Sequence, residues 1–266
     1  MLREKYNLYV IVVIYNKSCY DSLTLKCLNK IHGLDVTICD NSTKNYKNKE
    51  YAENKNYNYI DMQGNKGLAV AYNKAICRIK QNNGYVCIFD DDTLVPAEYF
   101  KILEKLIAKE HRDIYLPIIY DSVGMLSPAR IVKGFFVKRE KNLKNINQKN
   151  ITGINSAMAI NLDVFEEGYL YNEKYFLDYI DHDFIREMKK RNKTIGVLNV
   201  KLKQNFSGNN FENKEASLKR FKIFKKDFKN FCKGSFFCKL YLYFVIIKRL
   251  FRLTLKFRTL DFIFKS

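Results

Sequence analysis

No stretch of the sequence reaches the ~18 uninterrupted apolar residues that a membrane-crossing helix needs, so no span is expected. There is no C-x-x-C pair either. The seven cysteines, Cys19, Cys27, Cys39, Cys77, Cys87, Cys232 and Cys238, are odd in number, scattered, and several lie in apolar runs. Neither a disulfide framework nor a zinc site is expected from that pattern, and a reducing cytoplasm suits it best. The three histidines, His32, His111 and His182, never fall at metal-ligand spacing. The first residues, MLREKYNLYVIVVIYN, begin charged but lack a small-residue cleavage site, and are expected to be a buried strand rather than a secretory leader. Nor is a phosphate-binding P-loop present. GNKGLAVAYNKAI fits neither G-x-x-x-x-G-K-[ST] nor G-x-G-x-x-G.

What the chain does have is enough apolar material for a core. Its 266 residues are 47% hydrophobic and 15% aromatic, which suits one large domain or a domain with an extension. A net charge of +19 invites a nucleic-acid reading, yet the charge is unevenly placed. From Lys214 to the end there are 15 basic residues against 3 acidic ones, so most of the excess belongs to that segment and the body is only mildly basic.

LYVIVVI (8–14) is a continuous β-branched run, as expected of a strand covered on both faces. SLTLKCLNKI (22–31) has helical spacing, and DVTICD (35–40) is a second strand ending in Asp40. YNYIDM (57–62) is a weaker third strand. A glycine turn then leads into a helix from Gly67, and YVCIF (85–89) is a fourth strand. PAEYFKILEKLIAK is helical, with Pro96 near its first position. DIYLPIIYDS (113–122) and TIGVLNVKL (194–202) are further strands, GINSAMAINLDVFEE gives a short strand and a helix start, and the chain is helical after Asp181. KGFFVKREKNLKNINQKN (133–150) is expected to be a mobile loop. The alternation predicts an α/β fold with a mostly parallel sheet flanked by helices, its strand C-termini sharing one edge where ligands bind. Tyr15, Asn16, Asp40, Asn41, Ser42 and Asp90 to Asp92 all fall at such ends.

Three consecutive aspartates repel one another. A helix N-terminus absorbs one or two acids, and Thr93 could cap by itself. Two carboxylates one residue apart at the mouth of a sheet also make a hard-cation site for Mg²⁺ or Mn²⁺. Both readings stand on these residues alone. The second acidic cluster, DYIDHDFIRE, is open in the same way. Asp178, Asp181 and Asp183 suit the first turns of a helix, with Arg186 as partner to Asp183 or Asp178, and one of them also suits a general base.

In their order along the chain, VIVVIYN, VTICDNS, GNKGLAVAYNKAI, CIFDDDTLVP, GINSAMAINLDVFEE and YFLDYIDHDFIRE resemble a family 2 glycosyltransferase of the GT-A fold, over about the first 210 residues. Within that family the chain is most similar to bacterial enzymes of surface-polysaccharide synthesis (capsule or O-antigen), including the rhamnosyltransferase-like group. The resemblance implies an inverting transfer from a nucleotide-diphosphate sugar to an acceptor hydroxyl. It implies a catalytic domain over 1–212, with a nucleotide-sugar half to about residue 95 and an acceptor half after it. Tyr15, Asn16, Asp40, Asn41, Asn65, Lys66, Gly67, Asp90 and Asp91 then belong to the donor site. Asp92 is the implied direct metal ligand, with Asp90 beside it on the D-x-D element. Asp181 is the implied base, Asn155, Ser156, Asp178 and Asp183 lie on the acceptor side, and residues 154–158 floor that site. Relatives often carry a histidine after the last strand, where this chain offers Gln204 or Asn205, and an acid before the base, where it has Ile180.

Residues 213–266 are expected to form a basic, amphipathic helical extension. On a helical wheel Lys248, Arg249, Arg252 and Lys256 share one face, with Leu240, Phe244, Ile247 and Leu250 largely elsewhere. Two readings compete: a helix packed on the domain with its basic side wet, and an interfacial helix on the anionic cytoplasmic face of the membrane, near a lipid-linked oligosaccharide acceptor. The rivals to a glycosyltransferase are a nucleotidyltransferase, which normally has a glycine-rich basic N-terminal loop not found in IYNKSCYDS, and a nucleic-acid-binding protein. Against nucleic acid, the charge sits on an apolar tail and not on an aromatic stacking platform, so no nucleic-acid partner is expected.

Overall fold

The computed structural model describes residues 6–79, 83–204 and 213–264. The N-terminal part runs β1 (Leu8–Ile14), α1 (Leu23–Leu28), β2 (Asp35–Asp40), α2 (Asn48–Asn54), β3 (Asn58–Asp61), α3 (Leu68–Ile76) and β4 (Tyr85–Asp90). It continues through β5 (Thr93–Leu94), α4 (Tyr99–Lys109), β6 (Ile114–Asp121), β7 (Gly124–Ser127), β8 (Ala129–Val132), β9 (Phe136–Lys138), β10 (Ile151–Thr152) and β11 (Met158–Asn161). Then come α5 (Asp163–Glu166), α6 (Ile180–Lys190), β12 (Ile195–Gln204), α7 (Lys214–Phe231), α8 (Phe236–Phe257) and α9 (Asp261–Phe264).

The main sheet has the order β3-β2-β1-β4-β11-β6-β12-β5, with β7 added on β6. Strands β1 to β4 pair in parallel, as do β6 and β12, while β11 runs antiparallel between β4 and β6. Successive side chains point to opposite faces, so β1 feeds two cores at once. Tyr9, Ile11 and Val13 join α3 and α6 on one face; Val10, Val12 and Ile14 join α1, α2 and α4 on the other. That two-sided burial is why the strand reads as an uninterrupted apolar run.

Reversal of β11 has a consequence for the site. In a parallel strand the C-terminus reaches the ligand edge; in β11 the N-terminus does, so Asn155 and Ser156 arrive beside the end of β4. Met158 pairs with Ile88, and the Thr93 and Ser156 hydroxyls lie 2.6 Å apart.

Three expectations are corrected. Residues 133–150 do not form a plain loop: they contain β9, which joins the flanking β8 and β10 in a second, three-stranded antiparallel sheet. Lys133 and Gly134, both at positive φ (51° and 77°), supply the tight turn between β8 and β9, and Arg130 pairs with Glu140 at 2.7 Å. The polar, basic composition concealed strands only two to four residues long. Cys232 and Cys238 are also paired in a disulfide across the turn between α7 and α8. Two helices meeting end to end bring them together, a contact that no C-x-x-C rule anticipates. Finally, Pro96 precedes α4 by a turn, its carbonyl accepting the Tyr99 N–H at 3.0 Å.

Helices α7 and α8 pack into the larger core. Phe228, Phe231, Cys232, Cys238 and Leu242 are buried in the same cluster as Ile180, Phe184 and Met188 of α6. Each such phenylalanine contributes about 1.5–3 kcal/mol through area removed from water. Among the described residues, no helix is long and apolar enough to cross a membrane.

Candidate active site

Asp40 ends β2 at 6% exposure, and its carboxylate is held from three sides. Oδ1 accepts the Ser42 N–H at 3.1 Å; Oδ2 accepts the Asn48 amide and the Tyr59 hydroxyl, both at 2.9 Å. Asn48 also accepts the Cys19 N–H at 2.8 Å, tying the chain after β1 to the chain after β2. Asn16 sits at φ 48°, and its side-chain oxygen accepts both the Thr43 N–H and the Thr43 hydroxyl. Tyr15 stands beside this frame at 46% exposure, open to stacking. Asn48 and Tyr59 were not legible in the sequence, since neither belongs to a motif.

Asn41, Asn65, Lys66 and Gly67 form a second hydrogen-bonded unit. The Asn41 oxygen accepts the Lys66 N–H at 2.8 Å, its amide donates to Asn65 at 3.1 Å, and Asn65 accepts the Gly67 N–H at 3.1 Å. Gly67 opens α3 at φ 88°, and a Cβ there would meet the Phe176 carbonyl oxygen at 2.9 Å. The close approach that demands glycine is thus to the segment preceding α6.

Asp90, half-buried at the end of β4, is the most perturbed carboxyl of the site. Burial first, and then the charges of Asp92, Asp91 and Asp181, push it up to about 7; only the Gln204 amide pulls the other way. Burial and Asp91 raise Asp92 as well. Gln204, the last residue of β12, donates one amide to both, at 2.8 Å to Asp90 and 3.4 Å to Asp92. Its own Oε1 is buried and accepts no hydrogen bond among the described residues. Asp91 turns aside to the Lys17 ammonium at 2.9 Å. The Thr24 hydroxyl, which no motif signalled, holds the Asp90 carbonyl from α1.

Those features decide whether a divalent cation suits the site. Two neighbouring carboxyls, both raised by burial and by adjacent aspartates, with an orphaned amide oxygen beside them, are hard oxygen donors of the type Mg²⁺ and Mn²⁺ take. No group of three His, Cys, Asp or Glu gathers as a ready cage among the described residues, so water and a ligand's own oxygens have to complete the shell. The donor set fits. Asn205, the other amide after β12, lies outside the described residues.

Asp181 lies in the first turn of α6, where its Oδ1 accepts the His182 N–H at 2.8 Å. Its charge reaches Asp90, which it helps to raise, and both act on Tyr72. Burial first, and then those carboxylates, hold that fully buried phenol well above its usual range. His182 was missed as a neighbour: its Nδ1 lies 2.8 Å from the Thr152 hydroxyl and its Nε2 4.0 Å from Asp181. Asn155 accepts the Tyr171 hydroxyl at 3.0 Å, and Ser156 contacts Thr93. The other acids of the cluster are committed to partners. Asp183, 5% exposed, binds Arg186 and the Tyr175 hydroxyl, and Asp178 binds Arg220 of α7. The sequence offered Asp178 either Arg186 or the acceptor; the structure gives it Arg220.

The model of the glycosyl transferase family 2 matches residues 9–168, more than half of the chain, from β1 through α5; Asp181 and Gln204 lie beyond the matched stretch. The chain belongs to this family. Among its relatives is the dTDP-rhamnosyl transferase RfbF of Shigella flexneri, 24% identical over 182 residues, which are 67% of this chain and 62% of that protein. The family 2 chain thus spans less than two thirds of that relative's length. Among solved structures, S. aureus TarS 1–349 aligns at TM-score 0.54 with 18% identity, over 86% of this chain and 72% of that one. GalNAc-T7 with UDP, GalNAc and Mn²⁺ aligns at TM-score 0.61 with 14% identity, over 84% and 48%. These likenesses establish the fold as GT-A: a mixed α/β sheet flanked by helices, followed here by C-terminal helices.

Proposed function

We propose that this family 2 protein transfers a sugar, with inversion, from a nucleotide-diphosphate sugar to a hydroxyl of a lipid-linked oligosaccharide in bacterial surface-polysaccharide synthesis. The observation that carries the reading is the meeting of Asp90 and Asp92 after β4 with Gln204 at the end of β12, with Asp181 of α6 near enough for its charge to raise Asp90. The dTDP-rhamnosyl relative and the UDP- and Mn²⁺-bearing neighbour support a nucleotide-sugar donor and a divalent cation.

In this reading Tyr15, Asn16 and the braced Asp40 receive the nucleoside, and the Asn65–Gly67 turn backs the donor. Asp92, Asp90 and Gln204 would hold Mg²⁺ or Mn²⁺, which would supply counter-charge to a diphosphate leaving group. Asp181 accepts the proton of the acceptor hydroxyl as its oxygen attacks the anomeric carbon opposite the leaving group. One in-line displacement inverts the centre and needs no covalent intermediate. Asn155 and Ser156 line the acceptor side.

Thermal-shift screening against dTDP-rhamnose and a set of UDP-sugars, with and without Mn²⁺, tests the donor half. At least one nucleotide sugar is expected to raise Tm, and more so with Mn²⁺. A panel in which none does so removes the nucleotide-sugar reading.

The membrane half rests on α8. Phe236, Leu240, Phe244, Ile247, Phe251 and Leu255 recur every three to four residues and are all more than half exposed, forming one apolar stripe. At 1.5 Å per residue the helix is about 33 Å long, so the stripe lies along a surface and does not cross one. Exposed Lys248, Arg252 and Lys256 flank it. The wheel needs one amendment: Arg249 turns inward, its guanidinium 4.2 Å over the Phe224 ring. Anionic lipid complements both features, each exposed basic group contributing about 1 kcal/mol. The full chain is expected to co-sediment with phosphatidylglycerol-containing vesicles but weakly with phosphatidylcholine alone, and Phe244→Ser with Phe251→Ser to abolish it. Binding to RNA or DNA without binding to vesicles would favour the nucleic-acid alternative.

A further inference from the structure

The stretch from Lys174 to Arg186 carries Asp181, and one face of α7 grips it along its length. Arg220 makes a bidentate ion pair with Asp178. Two turns on, Asp227 is fully buried, and its carboxylate accepts three consecutive backbone N–H groups, from Phe176 at 3.0 Å, Leu177 at 2.8 Å and Asp178 at 2.9 Å. The Tyr179 ring stacks on Phe228 and Phe231, with centroids 4.6 and 4.7 Å apart. The Asn230 amide donates to the Lys174 carbonyl at 2.9 Å, and Arg186 donates to the Phe231 carbonyl at 3.0 Å.

The turn into α6 depends on that grip for its backbone N–H groups. Tyr179, the residue before α6, is left-handed at φ 64° and offers the helix no side-chain cap. Three neighbouring N–H groups facing the interior need acceptors, and one carboxylate supplies them all. Burial raises the Asp227 carboxyl from its ordinary range while those three N–H groups draw it back down. The same segment reaches the donor side, since the Phe176 carbonyl accepts the Leu68 N–H at 2.8 Å beside Gly67.

We propose that Asp227 is a positioning residue, supported by Arg220: through the backbone of 176–178 it sets where α6 begins and hence where the Asp181 carboxylate stands against Asp90. This deepens the reading of Asp181 as the base, and rests on it. The C-terminal helices then complete the catalytic centre in addition to presenting a surface for lipid.

Asp227→Asn keeps the side-chain volume but turns an N–H₂ toward backbone donors. In the full-length protein, amide hydrogen exchange is expected to be at least about tenfold faster over 176–184 and unchanged in β1 and β4. With the donor selected by thermal shift and water as acceptor, kcat is expected to fall about 10- to 100-fold, with donor KM within about threefold. The control is Ile107→Ala in α4, which loosens the core on the opposite face of the sheet and should lower Tm at least as much while leaving kcat unchanged. Should Asp227→Asn fail to fold, Arg220→Gln is read the same way. Unchanged exchange over 180–184, or a kcat within twofold of wild type, overturns the proposal. An inert Asp181→Asn beside a fully active Asp227→Asn sinks the positioning role alone. An active Asp181→Asn sinks the base, and exchange over 176–184 still reports whether Asp227 holds the segment.

Discussion

Asp181→Asn is expected to keep nucleotide-sugar binding and to lose transfer by about 10²–10⁴-fold, the range that a positioned general base supplies. The amide is isosteric, and its oxygen can still accept the His182 N–H that Asp181 accepts at 2.8 Å, so the start of α6 has no reason to move. What disappears is the ability to take a proton. The acceptor hydroxyl then has to attack while still protonated, and the barrier rises without change in the ground state. Thermal shift with donor and kcat with donor and acceptor separate the two effects. Turnover near that of wild type would end the assignment.

The second large effect is at the carboxylate pair. Asp92→Ala, or removal of divalent cations by chelation, is expected to lower activity by about 10²–10³-fold, because the diphosphate charge loses its counter-charge as the glycosidic bond breaks. The sign of the pH dependence follows from Asp90. With its pKa pushed up to about 7, it is largely protonated at pH 6, and a cation binding there has to displace that proton. At pH 8 the carboxylate is already ionised and strained by its neighbours. The Tm gained from a fixed Mn²⁺ concentration should therefore be larger at pH 8 than at pH 6. An equal gain at both, or full activity in chelator, removes the cation from the site.

Much of the architecture was legible because burial on both faces leaves a plain mark. LYVIVVI, DVTICD and YVCIF are strands to within a residue, since in each of them alternate side chains feed opposite cores. The short strands around Phe136 and Ile151 were not, because antiparallel pairing over two to four residues needs only a tight turn and tolerates lysine and asparagine. The polar helix NKEYAEN was silent for a similar reason: only Asn48, Tyr51 and Ala52 are buried. Among the acids, the sequence could nominate Asp178, Asp181 and Asp183 together but could not rank them. Partners do so. Arg220 and Arg186 take the outer two, and those arginines are 42 and 3 residues away.

By itself the sequence determined the alternation of strands and helices and which residues stand at strand ends, read within windows shorter than a helix and a strand, and the family, read from the order of several such windows. Tertiary structure alone decided the direction of β11, which brings Asn155 and Ser156 to the ligand edge. It alone placed Gln204 against Asp90 across 114 residues, and folded α7 back so that Asp227 meets the backbone before Asp181. The physical reason is range. Periodicity reports which face of an element is apolar, whereas raised carboxyls and clamped backbone depend on partners that only packing brings within a few ångströms.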